Sequence, residues 1–573
     1  MFNPHKPQTD PPEEKKTDPE LIKRFETKLK NESNLEFTSR LFQELPELEF
    51  YLVGGMVRDT ILKHPTSKDY DFIARGVEMK KLVAVLQKMG RVDFVGRNFG
   101  VIKFTPTGST LREPIDIALP RTELPVGTGG YRDVEAKSDH TLPIEEDLSR
   151  RDLTINAIAW NMGANQLVDP FNGQEDLRNK KIRCVGRPED RFQEDYSRML
   201  RAIRFACRLD FEIEPQTKLA IMNLMPHIND QREIPIVESL ERQMTLATND
   251  LDQKKLQSKI EKQKQANPNA EKQEFVVPRE TIAVELLKSL KENPARALEL
   301  LDEFGALEKL LPEVLKLKGC EQPAEFHAEG DVWQHTKMML EKIRSEEFRK
   351  YFKGSHITGE FALGVILHDI GKPETKQTPE DHGVDRVRFN SHDTGGAKIV
   401  GKIATRFNLS DFQTAKLKFM VENHMFAMTI TNIFNVSTYK FARRFIDSPH
   451  SQDLLMLFYL DANSSIRPDG SSPMNNFLDT LKRINQIKQI RTELPEEKFA
   501  DGQIMMQTLE IKGGPLIGAL TYVMSDLIDS GKISGKEEAV KFLQKNKALI
   551  LEYKDKVRGN NREEVADEIL KRL

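Results

Sequence analysis

The sequence contains little cysteine and no long apolar run. Its three cysteines, Cys184, Cys207 and Cys320, are widely spaced among 573 residues. An odd number at these spacings excludes a disulfide framework and a CxxC metal knuckle, and it favours a reducing cytoplasm. No stretch of about 18 apolar residues occurs, and the first residues lack the apolar segment of a signal peptide. We therefore expect neither a membrane span nor export.

An excess of charge of one sign is also missing. Lys and Arg number 86 and Asp and Glu number 89, so the formal net charge is −3. This balance excludes a uniformly basic chain, and any site for a polyanion must therefore be regional. Hydrophobic residues make up 38% of the chain, which is enough for a folded protein, and the length predicts several domains.

The apolar pattern divides the chain into five segments and predicts an α+β fold. A polar lead that we expect to be disordered and a first helix, which begins at Pro19, occupy residues 1–36. Short apolar strands alternate with helical stretches over 37–170, which predicts a mixed sheet. Helical periodicity dominates 171–315, 316–475 and 476–573. Within the first of these, residues 245–275 are rich in Lys, Gln and Asn and predict a solvated helical insertion or linker.

A glycine pair follows the first apolar strand. Gly54 and Gly55 precede a helical pattern that contains Arg58. Glycine lets backbone N–H groups approach phosphate oxygens, and a helix N-terminus with an arginine adds positive charge. The pattern predicts a cradle for a triphosphate. The alternative, a tight turn between a strand and a helix, is the commoner meaning of a glycine pair alone.

Two carboxylates follow in the next predicted strand, over residues 68–73. Asp69 and Asp71 are two residues apart, so they are expected on one face of that strand. Such a pair repels itself unless a cation lies between, and Mg²⁺ prefers carboxylates together with substrate phosphates. Asp116, in a later apolar strand, is predicted to be the catalytic base or a third ligand. A salt-bridged Asp at a strand end is the alternative.

Charged residues crowd before the apolar segment that ends at Trp160, which we predict to be a helix. Arginine forks suit phosphates, whereas Asp and Asn suit sugar hydroxyls. The alternative is a helix N-cap with surface charges. The residues are Asp147, Arg150, Arg151, Asp152 and Asn156.

Several motifs stand in one order between about residues 48 and 470, namely GGMVRD, DYD, RRDLTINAIA, LVDPFNGQEDL and EDYSRMLRAIRF. Together they resemble the bacterial class II tRNA nucleotidyltransferases, the CCA-adding enzymes of the polymerase-β-like superfamily. The stretch ALPRTELPVGTGGYRD resembles the branch of that family that carries an HD domain. Residues 279–288 resemble its fifth motif, with Thr281 where the family usually has arginine.

The resemblance implies a nucleotidyltransferase head over 37–170, a neck over 171–315 that binds nucleobase and RNA, an HD domain over 316–475 and a helical tail over 476–573. The implied reaction transfers CMP and then AMP from CTP and ATP to the 3′ end of tRNA, without a template, and releases pyrophosphate. The resemblance assigns Mg²⁺ to Asp69 and Asp71 and the triphosphate to Gly54, Gly55 and Arg58. It assigns ribose or phosphate contacts to Asp147, Arg150, Arg151, Asp152 and Asn156.

Asp195 and Arg198 are three residues apart, which predicts that they share one helix face. The resemblance makes this pair the reader of the incoming base. Aspartate accepts from an exocyclic amine and arginine donates to ring acceptors, which suits C and A. A surface salt bridge is the common alternative. Arg201, Arg204 and Arg208 continue at helical steps and predict a basic stripe for nucleotide or tRNA phosphates, unless they form a solvated face.

The second half contains histidines and carboxylates with apolar flanks, which predicts that they lie on buried helices. Neutral imidazoles with carboxylates suit Mn²⁺, Ni²⁺, Co²⁺ or Fe better than Ca²⁺. The order resembles the HD phosphohydrolase superfamily, which implies the ligands His335, His368, Asp369 and Asp461. His392 and His424 match positions that only some HD proteins use. A single histidine on an apolar helix is more often a core residue, and a merely structural HD motif is the alternative.

The motifs leave other functions open. A poly(A) polymerase or a CC- or A-adding enzyme uses nearly the same head, although the HD motif argues against the former. A phosphohydrolase whose head only senses nucleotides is an alternative of another class. A non-catalytic RNA-binding protein is the third, and the full set of carboxylates argues against it.

Overall fold

The structure is a computed structural model. It describes residues 18–30, 32–65, 69–95, 100–111, 113–125, 129–130, 134–246, 250–428, 435–494 and 501–573. The predicted polar lead therefore lies outside the described residues, apart from Asp18. The chain forms two compact units, Met1–Leu311 and Pro312–Leu573.

The first unit begins with a segment that we call the head, whose elements run from Pro19 to Val168. It includes 3₁₀ turns at Ser33–Leu35 and Thr154–Asn156. Its helices are α1 (Pro19–Lys30), α2 (Phe37–Glu44), α3 (Gly55–Ile61), α4 (Met79–Leu86) and α5 (Ile144–Ser149). Its strands are β1 (Glu49–Val53), β2 (Asp71–Arg75), β3 (Gly90–Val95), β4 (Val101–Pro106), β5 (Ile115–Ala118), β6 (Arg121–Pro125), β7 (Val134–Ser138), β8 (Ala159–Asn161) and β9 (Gln166–Val168).

Seven strands of the head form one mixed sheet in the order β3-β4-β5-β2-β1-β8-β9. Strands β2 and β5 are parallel, and the other neighbours are antiparallel. Central strand β1 reads EFYLV and is buried on both faces, as a strand covered on both sides requires. Tyr51 and Val53 pack with α5 residues Ile144 and Leu148 on one face.

The pairing brings the functional ends of four strands together. Val53 at the end of β1 is opposite both Asp71 of β2 and Ala159 of β8. Asp71 in turn lies opposite Asp116 of β5. The glycine turn after β1, the start of β2, the start of β5 and the residues before β8 therefore meet at one edge of the sheet.

The remainder of the first unit, which we call the neck, is mainly helical. It also contains a 3₁₀ turn at Met225–Asn229. Its elements are α6 (Gly173–Arg178), β10 (Lys181–Ile182), α7 (Pro188–Glu194), α8 (Ser197–Leu209), β11 (Glu212–Ile213), α9 (Pro215–Leu224), β12 (Gln231–Pro235), α10 (Ile236–Leu246), α11 (Asp250–Ala266), β13 (Glu271–Phe275), α12 (Arg279–Glu292), α13 (Pro294–Glu303) and α14 (Ala306–Leu310).

The described part of the second unit consists of helices and one short strand pair. Its elements are α15 (Pro312–Leu315), α16 (Val332–Lys342), α17 (Glu346–Tyr351), α18 (Gly359–Leu367), α19 (Lys372–Thr375), β14 (Lys376–Gln377), α20 (Pro379–His382), β15 (Arg388–Phe389), α21 (His392–Arg406), α22 (Asp411–Asn423), α23 (Met425–Met428), α24 (Thr438–Phe445), α25 (Ser451–Ser464), α26 (Met474–Glu493), α27 (Gly502–Leu509), α28 (Pro515–Asp529), α29 (Lys536–Lys545), α30 (Lys547–Leu551) and α31 (Arg562–Arg572).

The α+β fold class is confirmed: a mixed sheet lies near the N-terminus and helices follow. Three local expectations were wrong. The apolar segment ending at Trp160 contains the 3₁₀ turn Thr154–Asn156 and then strand β8, in place of the predicted helix. Asp69 precedes β2 and is not part of it. In the predicted insertion over 245–275, residues 245–246 end α10 and residues 250–266 form α11, but residues 271–275 pair as β13 with β12.

The described residues bear on two predictions, one about the cysteines and one about membrane spans. Cys184, Cys207 and Cys320 are buried free thiols. In the described ranges, no helix combines the length and the apolarity that crossing a membrane requires.

Helix α1 packs on the sheet through one aromatic contact. The Phe25 ring stacks on Trp160 of β8 with the ring centroids 4.3 Å apart, and both side chains are fully buried. We expect Phe25→Ala to lower the free energy of unfolding by about 3–5 kcal/mol, because it removes this contact and leaves a cavity. Urea denaturation in a Trp333→Phe background, followed by Trp160 fluorescence, measures the change.

Phe94→Ala is the matched control, since Phe94 on β3 is 67% exposed. Its expected effect is within about 0.5 kcal/mol. Equal losses in the two variants would contradict the assigned contact.

Candidate functional site

A cleft of about 750 Å³ lies in the first unit, where the head and the neck meet. Most of the residues predicted for nucleotide chemistry line it. They are Gly54, Gly55, Arg58, Asp69, Asp71, Arg150, Arg151, Asp152, Asn156, Asp195, Arg198 and Arg201. Arg208 and Thr281 line it as well. Asp116, Asp147 and Arg204 are described by the structure but do not line the cleft.

The glycine turn is packed directly against the carboxylate of β2. Gly54 has φ +73°, a left-handed conformation that favours glycine. A Cβ atom at this position would lie 3.4 Å from Asp71 Oδ2 and 3.6 Å from Arg151 Nη1. These are ordinary contact distances, so the positive φ and not a lack of space is what favours glycine here, and α3 begins at the next residue.

The three predicted catalytic carboxylates, Asp69, Asp71 and Asp116, differ in their charged neighbours. The pKa of Asp71 is raised by loss of hydration and by Asp116 and Asp69, whereas Arg151 and Lys103 oppose the rise. Asp116 Oδ1 lies 3.0 Å from Lys103 Nζ, so it is salt-bridged, as the alternative reading of this residue expected. Asp69 and Asp71 are both exposed to the cleft. The repulsion that Asp71 experiences is the kind that a bound cation relieves.

Asp147 supports two arginines from behind the cleft. Its buried carboxylate accepts from Arg150 at 2.6 Å and lies 3.4 Å from Arg151 Nη2. Arg150 also binds Glu123 of β6 at 2.8 Å. Both guanidinium groups reach the cleft and are therefore held in fixed orientations by Asp147 and Glu123.

A second network surrounds Arg58. Its guanidinium donates to Asp59 at 2.7 Å and to Asn156 at 2.8 Å, and it lies over the Phe205 ring. Asp59 also binds Arg208, at 3.0 Å. One buried carboxylate thus orients an arginine of α3 and another of α8.

The basic stripe of α8 is neutralised by carboxylates of the first unit. Arg201 binds Asp152 at 2.6 Å. Burial opposes ionisation of Asp152, but Arg201 outweighs it and lowers the pKa of that carboxyl. Arg204 binds Glu285 of α12 at 2.5 Å and has little exposure, so it connects two helices and does not reach the cleft.

Asp195 does not share a helix face with Arg198, contrary to the sequence prediction. It lies in extended conformation between α7 and α8, and its carboxylate accepts from the Ser197 N–H at 2.9 Å. Arg198, on α8, is 4.0 Å from Asp195 and 2.6 Å from Glu194. Burial raises the pKa of Asp195, although Ser197 and Arg198 lower it. Both side chains still face the same cleft.

Sequence reasoning missed the supporting carboxylates Asp59, Glu123 and Glu285. Each lies next to or inside a motif that was recognised, but its partner is distant along the chain. Asp59 and Arg208 are separated by 149 positions, and Arg204 and Glu285 by 81. No spacing rule for one helix or strand connects such pairs.

In the second unit, four imidazoles and two carboxylates converge. His335 lies on α16, His368 and Asp369 follow α18, and Asp461 lies on α25. The structure brings together two groups whose candidate ligand atoms lie within 4.8 Å: His335, His368 and Asp461, and Asp369, His392 and His424. All six residues are buried.

The outer ring nitrogens define the orientation of these imidazoles. Nδ1 of His368, His392 and His424 lies 2.7–2.8 Å from a backbone carbonyl oxygen in each case. A carbonyl oxygen only accepts, so each of these Nδ1 atoms carries a proton and donates it, which leaves Nε2 as the ring nitrogen that can bind a metal. The Nε2 atoms of His392 and His424 are 3.1 Å apart, and a bound cation would relieve the repulsion that arises when both carry lone pairs.

Several buried polar atoms of this histidine cluster lack a hydrogen-bond partner among the described residues. Within the described residues, Nε2 of His335, Nε2 of His368 and Oδ1 of Asp369 make no hydrogen bond of good geometry. His335 also approaches Asp461 at 3.3 Å. Burial alone would lower the pKa of His335, but its contacts with Asp461 and Glu329 raise it to about 9. Lys372, predicted by no motif, binds Asp369 at 2.6 Å.

The sequence is similar to a known protein family and to several known proteins. Residues 50–183 match the family described as the poly A polymerase head domain. A "Multifunctional CCA protein" of Dechloromonas aromatica is 34% identical over 331 residues, which are 57% of this chain and 63% of that protein. A protein of the same name from Mannheimia succiniciproducens is 30% identical over 386 residues, 66% of this chain and 74% of the relative.

The fold has a solved counterpart. The Bacillus stearothermophilus CCA-adding enzyme, whose crystal structure is a complex with CTP, superposes with a TM-score of 0.52. The alignment has 19% identity and covers 90% of this chain and 98% of the other. The family match over residues 50–183 makes the head that of a nucleotidyltransferase of the poly(A) polymerase type. The chain belongs to the family of bacterial class II CCA-adding tRNA nucleotidyltransferases, the multifunctional CCA proteins. The match spans 63% of the first relative's length.

The Arg204–Glu285 pair provides a test of the neck. We expect Glu285→Ala to lower the free energy of unfolding by about 3–5 kcal/mol, because it leaves the poorly exposed Arg204 guanidinium without its partner. The double variant Arg204→Met/Glu285→Leu is expected to regain most of that loss, since it buries no charge. Urea denaturation followed by Trp160 fluorescence measures both. Equal losses in the single and double variants would exclude an ion-pair contribution.

Proposed function

We propose that this protein adds CMP and AMP from CTP and ATP to the 3′ end of tRNA, without a nucleic-acid template, and releases pyrophosphate. One observation carries the proposal: a single cleft contains both the carboxylates Asp69 and Asp71 of the head and the pair Asp195 and Arg198 of the neck. Membership of the CCA-adding family supports it. The relatives' names and the CTP complex of the structural counterpart point the same way.

The donor set of the cleft suits a hard divalent cation. We propose that Asp69 and Asp71 hold Mg²⁺, because carboxylate oxygens are its preferred protein ligands and because a cation would relieve the repulsion between Asp71 and the nearby carboxylates Asp69 and Asp116. Asp116, paired with Asp71 in the sheet, is proposed as a third ligand or base once Lys103 is displaced. When bound, Mg²⁺ stabilises the charge on the attacking 3′-oxygen and on the departing pyrophosphate.

The chain itself positions the substrates. The backbone of Gly54 and Gly55 and the guanidinium of Arg58 are proposed to bind the triphosphate at the start of α3. Arg150 and Arg151 have orientations set by Asp147, which suits bidentate contact with phosphate oxygens. We propose that Asp152, Asn156, Arg201 and Arg204 complete the site, with Arg204 acting through its contact with α12.

Selection of the nucleotide is proposed to depend on Asp195 and Arg198. The Asp195 carboxylate accepts from the exocyclic amine of C or A, and Arg198 donates to a ring acceptor. U and G lack that amine at the corresponding edge, so they would leave a buried carboxylate unpaired. Poly(A) polymerase activity, or addition of CC or A alone, is the alternative with the same head chemistry.

Asp71→Ala is expected to reduce CMP incorporation about 10³-fold, since it removes several kcal/mol of charge stabilisation in the transition state. The measurement follows radiolabelled CTP and ATP onto tRNAs that lack one, two or three 3′ nucleotides. Asp93→Ala, which removes an exposed carboxylate of β3, is the matched control with unchanged activity. Incorporation that survives Asp71→Ala, or long A tails made by the unaltered protein, would refute this function.

A second activity is favoured by the histidine cluster. We propose that the second unit is an HD domain in which His335, His368, Asp369 and Asp461, together with His392 and His424, bind Mn²⁺, Ni²⁺ or Co²⁺. The buried Nε2 atoms without good hydrogen bonds fit such ions. When bound, the metal supplies a Lewis acid for hydrolysis of phosphomonoesters or 2′,3′-cyclic phosphates.

We also propose that the protein is located in the cytoplasm, since its three cysteines are free thiols.

His368→Gln is expected to abolish metal-dependent hydrolysis of a 2′,3′-cyclic nucleotide and to leave CMP incorporation unchanged, because the two sites use different ligands. His356→Gln, at an exposed histidine of the same unit, is the control. Hydrolysis with and without added Ni²⁺, Mn²⁺ or Co²⁺ provides the readout. Full hydrolysis in the His368→Gln variant would remove the cluster from that activity.

A further inference from the structure

A carboxylate that no motif marked lies directly behind the histidine cluster. The Glu329 side chain is fully buried and precedes α16 by three residues. Its Oε1 atom lies 2.8 Å from Nδ1 of His335 and 2.7 Å from Nδ1 of His327. Burying a carboxylate is costly unless donors surround it, so the position of Glu329 requires an explanation.

The hydrogen bonds determine which ring nitrogen of His335 is available. An ionised carboxylate only accepts, so Nδ1 of His335 must donate its proton to Glu329. The opposite nitrogen, Nε2, lies 3.3 Å from Asp461 within the cluster. His335 therefore presents Nε2 inward for the same reason as His368, with a carboxylate in place of the backbone carbonyl.

Glu329 also binds the segment that follows Asp461. Its Oε2 atom accepts from the Ile466 N–H at 2.9 Å, and the Ala328 N–H donates to the Ile466 carbonyl at 2.6 Å. Ser465, next to Ile466, donates to the Asp461 backbone carbonyl at 3.0 Å. One side chain thus links the start of α16, which carries His335, to the end of α25, which carries Asp461.

We propose that Glu329 is a positioning residue of the metal site: it fixes the tautomer and the orientation of His335 and holds α16 against the end of α25. The inference rests on the proposed metal site of the second unit. Glu329 is not itself assigned as a ligand, because its Oε1 faces the outer nitrogen of His335. His327, 14% exposed, contributes a second donor to the same oxygen.

Titration of the whole protein with Co²⁺, followed by the visible absorption of the bound ion, tests the proposal. We expect Glu329→Gln to raise the Kd for Co²⁺ about 10- to 100-fold, the usual effect of losing a carboxylate behind a histidine ligand. The band positions are expected to shift as well, because His335 is no longer held in one orientation. CMP incorporation by the head is expected to stay unchanged.

Two controls separate this role from general destabilisation. Glu321→Gln removes an exposed carboxylate of the same unit and is expected to leave the Kd unaltered. His327→Gln removes the outer donor but retains the contact between His335 and Glu329, so its Kd is expected to lie closer to that of the unaltered protein. Should Glu329→Gln not fold, Glu329→Asp, which shortens the reach of the carboxylate, is titrated with the same expectation.

The titrations distinguish the positioning role of Glu329 from the existence of the metal site. A folded Glu329→Gln variant with the Kd and spectrum of the unaltered protein would overturn the role of Glu329 and leave the metal site intact. Absence of Co²⁺ binding by the unaltered protein would instead overturn the metal site, and the role of Glu329 with it.

Discussion

Buried carboxylates hold the arginines of the cleft between head and neck in place. Asp147, Asp59 and Asp152 each bind one or two guanidinium groups at short distance. An arginine side chain has many rotamers, and fixing one costs conformational entropy that the substrate would otherwise have to supply. Because these pairs form within the protein itself, the positive groups are oriented before a nucleotide arrives. The geometry of the cleft depends on this internal neutralisation.

The same principle organises the histidine cluster with different chemistry. There the outer nitrogens are bound by carbonyl oxygens or by Glu329, and the inner nitrogens are left for a ligand. The head exposes oxygen donors, which suit a hard ion such as Mg²⁺, whereas the second unit buries imidazoles, which suit a transition metal. The two proposed metal sites therefore present donor atoms that suit different cations.

The sequence was most informative where a motif acts locally. The glycine turn could be predicted because it depends on neighbouring residues. The histidines lie far apart along the chain, so they were singled out only through the resemblance to a family. The segment ending at Trp160 was misassigned because a short apolar run has no period that separates a buried strand from a helix. Asp195 was misplaced because α7 ends before it and a new helix begins after it, which the three-residue spacing of Asp195 and Arg198 does not reveal. Partners such as Asp59 with Arg208, or Glu329 with Ile466, are created only by the tertiary fold.

The pairing of Arg201 with Asp152 has a consequence for ionic strength. A free guanidinium attracts mobile anions from the buffer, and a phosphate that displaces them gains entropy, which makes binding weaken steeply as salt is added. An arginine already neutralised by a fixed carboxylate attracts few such ions. Affinity for a nucleoside triphosphate should consequently decline less steeply with added salt than the number of arginines around the cleft would indicate.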